Sequence, residues 1–274
     1  MIAGWHEQSE AEVPAHNEWL GPPELARLEA FRFVKRRTEW RLGRWTAKRA
    51  VAGYLGLPAT SATLRGFEIR PAPSGAPEVF STEGQVGVTI SLSHRAGRAV
   101  CSVAPSPGAL GCDLEVIEPH SGAFIADFFT LEEQQWVAGT AEADRPTLLT
   151  LLWSAKESAL KALHAGLRLD TRSLIVAVGD PLRLREEDGD GCGQREDGHY
   201  PGLTAPQPGT LHRWHPLRVH HVKDQTFLGW WQQTGKLLRT MVAAPPPARP
   251  LLLSISRVTS SSRCVARSNA SQAA

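Results

Sequence analysis

Two short stretches of the 274-residue chain carry the side chains best suited to chemistry: Gly111-Cys112-Asp113-Leu114-Glu115 and Trp153-Ser154-Ala155-Lys156-Glu157-Ser158-Ala159-Leu160-Lys161. Side chains alternate faces along a strand, so Asp113 and Glu115, set among Leu110, Leu114, Val116 and Ile117, point the same way as a carboxylate pair. The second stretch has helical spacing, which sets Glu157 and Lys161 one turn apart and facing each other. Three carboxylates converging on a partly buried site repel one another. The usual remedy is a hard divalent cation with oxygen ligands, commonly magnesium bridging to substrate phosphates. The chemistry expected is metal-assisted, on a phosphate ester or anhydride. Two plainer readings stand beside it: Ser154-x-x-Glu157 is also a capping box at a helix start, and Asp-x-Glu on a strand is also the pattern of a solvated face.

The elements that must position these residues follow from periodicity and breakers. Residues 1–23 form an irregular lead-in with room for one short strand, ending in Gly21-Pro22-Pro23. Leu25, Leu28 and Phe31, then Trp40, Ala47, Val51 and Leu55, have helical spacing, giving two helices or one with a break. On this region Arg37, Arg41, Arg44 and Lys48 recur as one stripe, either a solvated face or a receiver of phosphates. Apolar runs at Leu64–Ile69, Glu78–Phe80, Val86–Leu92 and Ala99–Val103 predict a small, mostly antiparallel sheet, with a rigid turn at 71–77. Ser93-His94 falls where one strand leaves the sheet, and a ring nitrogen there can donate to a phosphate.

Pro105-Ser106-Pro107-Gly108 is the expected boundary. Beyond it come the Asp113 strand, helical spacing from Phe124 to Val137, a longer helix from Arg145 to Leu163, then strands near 174–178, 217–222, 227–231 and 237–242. Both halves, 1–107 and 108–244, read as helices packed with a small sheet, an α+β arrangement inferred from element order alone, with no sequence repeat to accompany it. Residues 183–208 are rich in Gly, Pro and acids and are expected to form a mobile loop. Residues 245–274 are expected to form a disordered tail.

Composition narrows the classes. A net charge of +2 implies no polyanionic partner by itself. The four cysteines form no C-x-x-C pair, so reduced thiols are expected. No apolar run approaches the roughly 20 residues needed to cross a bilayer, and the first residues lack a basic segment followed by an apolar one, so a cytoplasmic protein away from membranes is expected.

Four motifs, in order, resemble one family, the surfactin-type 4′-phosphopantetheinyl transferases: Leu42-Gly43-Arg44-Trp45-Thr46-Ala47-Lys48, Ser91-Leu92-Ser93-His94, Gly111-Cys112-Asp113-Leu114-Glu115, and the Trp153–Lys161 stretch. Gly166-Leu167-Arg168-Leu169-Asp170 and Gly229-Trp230-Trp231 with Thr240 add to the likeness. The resemblance implies a pseudo-twofold α+β fold whose two similar halves clasp coenzyme A. It implies transfer of the phosphopantetheine arm to a serine of an apo acyl carrier or peptidyl carrier protein, with release of 3′,5′-adenosine bisphosphate. By the same resemblance, Asp113, Glu115 and Glu157 are the magnesium ligands, and Ser93 and His94 serve the 3′-phosphate and ribose region. Arg44 and Arg70 contact coenzyme A phosphates, Asp113 and Lys161 belong to the coenzyme site, and Lys161 lies beside the pyrophosphate. Glu157 is the candidate base, directly or through water, with Lys161 as the second catalytic residue. A Gly-Lys-Pro turn common in the family is here Gly75-Ala76-Pro77. A monomer fits two internally paired halves. The rivals are another metal-dependent phosphate enzyme, such as a nucleotide hydrolase, and a nucleic-acid-binding module. Against the latter, Trp40 and Trp45 sit five apart and cannot both share the basic stripe for base stacking.

Overall fold

Asp113 and Glu115 do lie on a strand, and that strand is buried on both faces. The computed structural model describes residues 1–178 and 213–253. Its first half runs β1 (Gly4–Ser9), α1 (Pro22–Glu29), α2 (Val34–Tyr54), α3 (Ser61–Arg65), β2 (Glu68–Pro71), β3 (Pro77–Ser81), β4 (Gly84–Gln85), β5 (Val88–Arg95) and β6 (Arg98–Pro105). Then follow β7 (Ala109–Val116), α4 (Gly122–Phe128), α5 (Leu131–Gly139), α6 (Arg145–Ala162), β8 (Leu174–Val178), β9 (His215–His221), β10 (Gln225–Thr234), β11 (Leu237–Ala244) and β12 (Leu251–Leu252).

The fold is mixed α+β. One sheet has the order β12-β1-β6-β5, a second β7-β11-β10-β9-β8, and a third β2-β3-β4. Leu110, Cys112 and Leu114 on one face of β7 join Trp5, Val100 and Met241 in a core shared by the two halves. The other face, carrying Gly111, Asp113 and Glu115, meets α6. Gly111 is required there: a Cβ would lie 1.7 Å from the Ser158 carbonyl oxygen, so any side chain would push the helix off the strand. The free edge of β7 abuts β5, where the Cys112 amide donates to Ser91 Oγ at 2.9 Å.

Helix α2 buries Leu42, Trp45, Ala47 and Val51 against the first sheet and has no proline to interrupt it. It closes where Gly56 takes φ +68°, a conformation that favours glycine. Helix α6 buries Leu148, Leu151, Leu152, Ala155 and Ala159 against the second sheet.

The two halves share a device that element order alone does not disclose. Lys48 of α2 is fully buried and ion-paired to buried Glu24. Glu24 also accepts from the Gly21 amide at the start of α1 and from the Ile69 amide of β2, while Lys48 donates to the Trp19 carbonyl. In α6, Lys156 is likewise fully buried and 2.7 Å from Glu133. Glu133 accepts from the Thr130 amide at the start of α5 and from the Val176 amide of β8, and Lys156 donates to the Phe128 carbonyl. Each lysine also lies over an aromatic ring, Trp19 or Phe129. The sequence does contain a repeat at these places, Trp45-Thr46-Ala47-Lys48 and Trp153-Ser154-Ala155-Lys156, which is a correction to the expectation of none.

Two further differences from the sequence reading have local causes. Residues 61–65 are helical, not the start of a strand, because Thr60 Oγ1 accepts from the Thr63 amide and caps a short turn; the strand begins at Glu68. The lead-in does hold one short strand, β1, and it is paired on both sides. Residues 245–253 are ordered where a disordered tail was expected. Leu251–Leu252 pairs in parallel with β1, and the Leu251 and Leu253 amides donate to the Ala3 and Trp5 carbonyls at 2.9 Å. This stretch satisfies a strand edge that would otherwise present unpaired backbone groups. The expectations for 183–208 and for 254–274 lie outside the described residues.

Candidate active site

Asp113 is the meeting point of three motifs. Its Oδ1 accepts from Ser93 Oγ of β5 at 2.8 Å and from Lys161 Nζ at 2.8 Å, and its Oδ2 accepts from Ser154 Oγ at 2.9 Å. Lys161 Nζ donates as well to the Cys112 carbonyl at 3.0 Å. Ser154, Glu157 and Lys161 follow at intervals of three and four, so one face of α6 delivers all three towards β7. Ser154 lies nine residues inside a helix that begins at Arg145, so the capping-box reading of Ser154 and Glu157 does not apply. Thr240, the cross-strand partner of Asp113, has its Oγ1 2.7 Å from Ser158 Oγ and 2.9 Å from Ser154 Oγ, fixing that hydroxyl.

The electrostatics are those of crowded acids. Burial, and then repulsion from Asp113, push the Glu115 carboxyl from 4.5 up to about 7, against the pull of Arg95. Arg95 Nε lies 3.3 Å from Glu115, and Arg95 Nη2 is also bound to Glu118 at 2.7 Å. Burial and repulsion from Asp113 raise Glu157 too. Burial penalises charged Lys161, but attraction led by Asp113 outweighs it and lifts the lysine above its usual value. Among the described residues no three His, Cys, Asp or Glu groups are already arranged around a cation position. The donor chemistry nevertheless fits a hard cation: only oxygens are offered, and the strain in Glu115 and Glu157 comes partly from Asp113, a repulsion that a divalent ion relieves.

Beside these acids a cleft of ≈ 560 Å³ opens between the halves. Arg44 and Arg70 line it from the first half, and Lys161, His164 and Arg168 from the second. Ile90, Leu92, Leu110 and Leu160 give it apolar walls, and the Gly75-Ala76-Pro77 turn forms part of its rim. His94 is not in this cleft. It lies half exposed in an adjoining recess of ≈ 300 Å³ that shares Arg44 and Leu92 with the cleft, 3.9 Å from Glu39. Ser93 points at Asp113.

The basic stripe does not act as one surface. Lys48 is spent on Glu24, and Arg41 is held by Asn17 Oδ1 at 2.9 Å and by the Pro14 carbonyl. Arg44 alone of the four reaches the cleft, stacked 5.0 Å over Trp40 with a buried Nε that lacks a hydrogen-bond partner. Arg95, His164 and Arg168 were not assigned roles from sequence. Arg95 follows His94 directly, and Arg168 lies in the Gly166–Asp170 motif, which was noticed without a role.

A solved holo-(acyl-carrier-protein) synthase from Bacillus anthracis str. Ames, in complex with CoA (3′,5′-ADP), is 21% identical over 37% of this chain and 92% of its own, with a TM-score of 0.33. Helicobacter pylori holo-[acyl-carrier-protein] synthase, in complex with coenzyme A, is 18% identical over 38% of this chain and 100% of its own, with a TM-score of 0.32. No curated protein matches the chain. Residues 109–193, which include β7 and α6 and so Asp113, Glu115, Glu157 and Lys161, match the family described as the 4′-phosphopantetheinyl transferase superfamily, and that match supports a phosphopantetheinyl transferase.

Proposed function

We propose that this protein moves the 4′-phosphopantetheine arm of coenzyme A onto a serine of an apo acyl carrier or peptidyl carrier protein, with magnesium, and belongs with the surfactin-type enzymes. The observation that carries the reading is the convergence of Ser93, Ser154 and Lys161 on Asp113 at the side of a basic cleft.

In this reading Arg44 and Arg70, on the first-half wall of the cleft, hold nucleotide phosphates. His94 serves the ribose end from the adjoining recess, and Ser93, beside it on β5, is turned to Asp113. Asp113, Glu115 and Glu157 hold the magnesium, which supplies charge neutralisation for the departing phosphate. Lys161, held against Asp113, meets the pyrophosphate in this reading. The carrier serine oxygen attacks the phosphate bearing the pantetheine arm, forming one P–O bond as the bond to the bridging oxygen breaks. The hydroxyl proton passes to Glu157, directly or through a water, and 3′,5′-adenosine bisphosphate leaves with the bridging oxygen.

We further infer that residues 1–107 and 108–244 are pseudo-twofold halves. Support comes from the matching strand orders β1-β6-β5 and β7-β11-β10 and from the paired Lys48–Glu24 and Lys156–Glu133 clamps. Such a duplicated chain needs no second copy, so it is read as a monomer. No helix among the described residues is long and apolar enough to cross a membrane. The proposal places the enzyme in the cytoplasm, with no nucleic-acid partner.

The test is incubation with magnesium, coenzyme A and several apo carriers. Mass spectrometry is expected to show one phosphopantetheine added to a carrier. Coenzyme A hydrolysis with every carrier unmodified overturns the reading in favour of a hydrolase.

A further inference from the structure

Of the three acids, Asp113 is matched by Lys161 and Glu115 by Arg95, while Glu157 forms no ion pair among the described residues. Glu115 does not line the basic cleft. It opens into a separate recess of ≈ 220 Å³, where Arg95, Glu118, His120 and Trp153 also stand. Strand β7 and helix α6 both run from one space to the other: Leu110 and Lys161 line the cleft, Val116 and Trp153 the recess. Arg95 therefore approaches the acids from the side away from Arg44 and Arg70.

The backbone of Arg95 is fixed by a tight turn. Arg95 ends β5, and Ala96 and Gly97, at φ 51° and 69°, form the two-residue hairpin loop that returns the chain to its cross-strand partner Arg98. Only the side chain is left to change partners, and two carboxylates are in reach. Arg95 Nε lies 3.3 Å from Glu115, and Nη2 donates to Glu118 Oε1 at 2.7 Å. The shorter contact goes to Glu118, which is half-exposed, lies just past the end of β7 and is not one of the three converging acids.

Resting on the functional reading above, in which Asp113, Glu115 and Glu157 hold magnesium, we propose that Arg95 is a stand-in cation for Glu115 and that Glu118 is the carboxylate that keeps it when Glu115 turns to the metal. Before the metal binds, the guanidinium offsets the crowding of Glu115 against Asp113. A guanidinium and a divalent ion on one carboxylate repel each other, so binding must draw Arg95 aside. Arg95 thereby lowers the affinity for magnesium, and Glu118, already in contact with the same guanidinium, raises it. Neither side chain is a metal ligand in this scheme; both are positioning residues that set how readily Glu115 becomes one.

Calorimetry with magnesium alone, on the full chain at one pH, reads the exchange without needing transfer. Arg95→Gln is expected to bind magnesium on the order of three- to tenfold more tightly than wild type, as a half-exposed pair facing a divalent ion allows. Its metal-free thermal midpoint should fall, and magnesium should raise that midpoint by more than in wild type. Glu118→Gln is expected to weaken magnesium binding by a similar factor, and that weakening should largely vanish in the double variant, where no guanidinium remains to be drawn off. An unchanged Kd in Arg95→Gln overturns the assignment. So does an equal effect of Glu118→Gln in both backgrounds, which would make Glu118 a simple nearby charge. A wild-type protein that takes up no magnesium overturns both this exchange and the metal role of the three acids. The transfer assay separates the exchange from the enzyme's function: a carrier modified while the Kd ignores Arg95→Gln overturns the stand-in role alone, and the expected shifts with no carrier modified overturn the transferase reading and uphold the stand-in role.

Discussion

The Ser154 hydroxyl donates to Asp113 Oδ2 at 2.9 Å, and Thr240 Oγ1, directly across the ladder from Asp113, lies 2.9 Å from the same hydroxyl. A helix and two strands therefore fix one carboxylate, at 3% exposure, before any ligand arrives. Replacing Ser154 by alanine should leave a buried acceptor short of a donor and cost about 1–3 kcal/mol of stability. The expected result is a lower thermal midpoint together with slower transfer. A fall in midpoint with unchanged kcat would mean that Ser154 supports the fold only.

Among the described residues no hydrogen bond holds the Glu157 carboxylate, whereas Asp113 is held by three side chains. Glu157→Gln should lower kcat by about 10²–10⁴ while coenzyme A binding persists, as for loss of a base. Near-normal turnover with magnesium still bound would remove Glu157 from that role.

The raised Glu115 carboxyl makes metal-free stability depend on pH. Its folded pKa of about 7 stands above the usual 4.5, so between these values the folded chain keeps a proton that the unfolded chain has released. Stability from this group is fullest below pH 4.5 and falls as pH rises through 7. Glu157, raised for the same reasons, adds in the same direction. The thermal midpoint of metal-free protein should drop between pH 5 and pH 8, less so in Glu115→Gln, and magnesium should restore more of it at pH 8 than at pH 5. A wild-type profile that matches Glu115→Gln throughout would show that Glu115 is already charged at low pH.

The acids were legible because local periodicity fixes them: alternation sets Asp113 with Glu115, and helical spacing sets Ser154, Glu157 and Lys161. What escaped depends on partners distant in sequence. Lys48 has the spacing of a surface stripe, but Glu24, an element away, draws it inside. Residues 251–253 show no periodicity of their own, and only the open edge of β1 gives them structure. His164 belonged to a recognisable helix end, yet its left-handed backbone depends on how that end closes. His94 was placed with the phosphates by motif, whereas its strand carries it into the adjoining recess.

The two lysine clamps give the inferred pseudo-twofold pairing a test by stability. Both lysine side chains have no exposure, and burial pulls each pKa below the usual value while its glutamate pulls back. Removing one member leaves a buried glutamate unpaired, which typically costs 3–5 kcal/mol, roughly the same wherever burial is complete. Lys48→Met and Lys156→Met should therefore destabilise by similar amounts in denaturant titration. Each also releases a helix start and a strand amide, since Glu24 and Glu133 hold both. Hydrogen exchange should localise the loosening to α1 and β2 in the first variant and to α5 and β8 in the second. Loosening spread evenly over the molecule in either variant would mean that the clamp does not act within its own half.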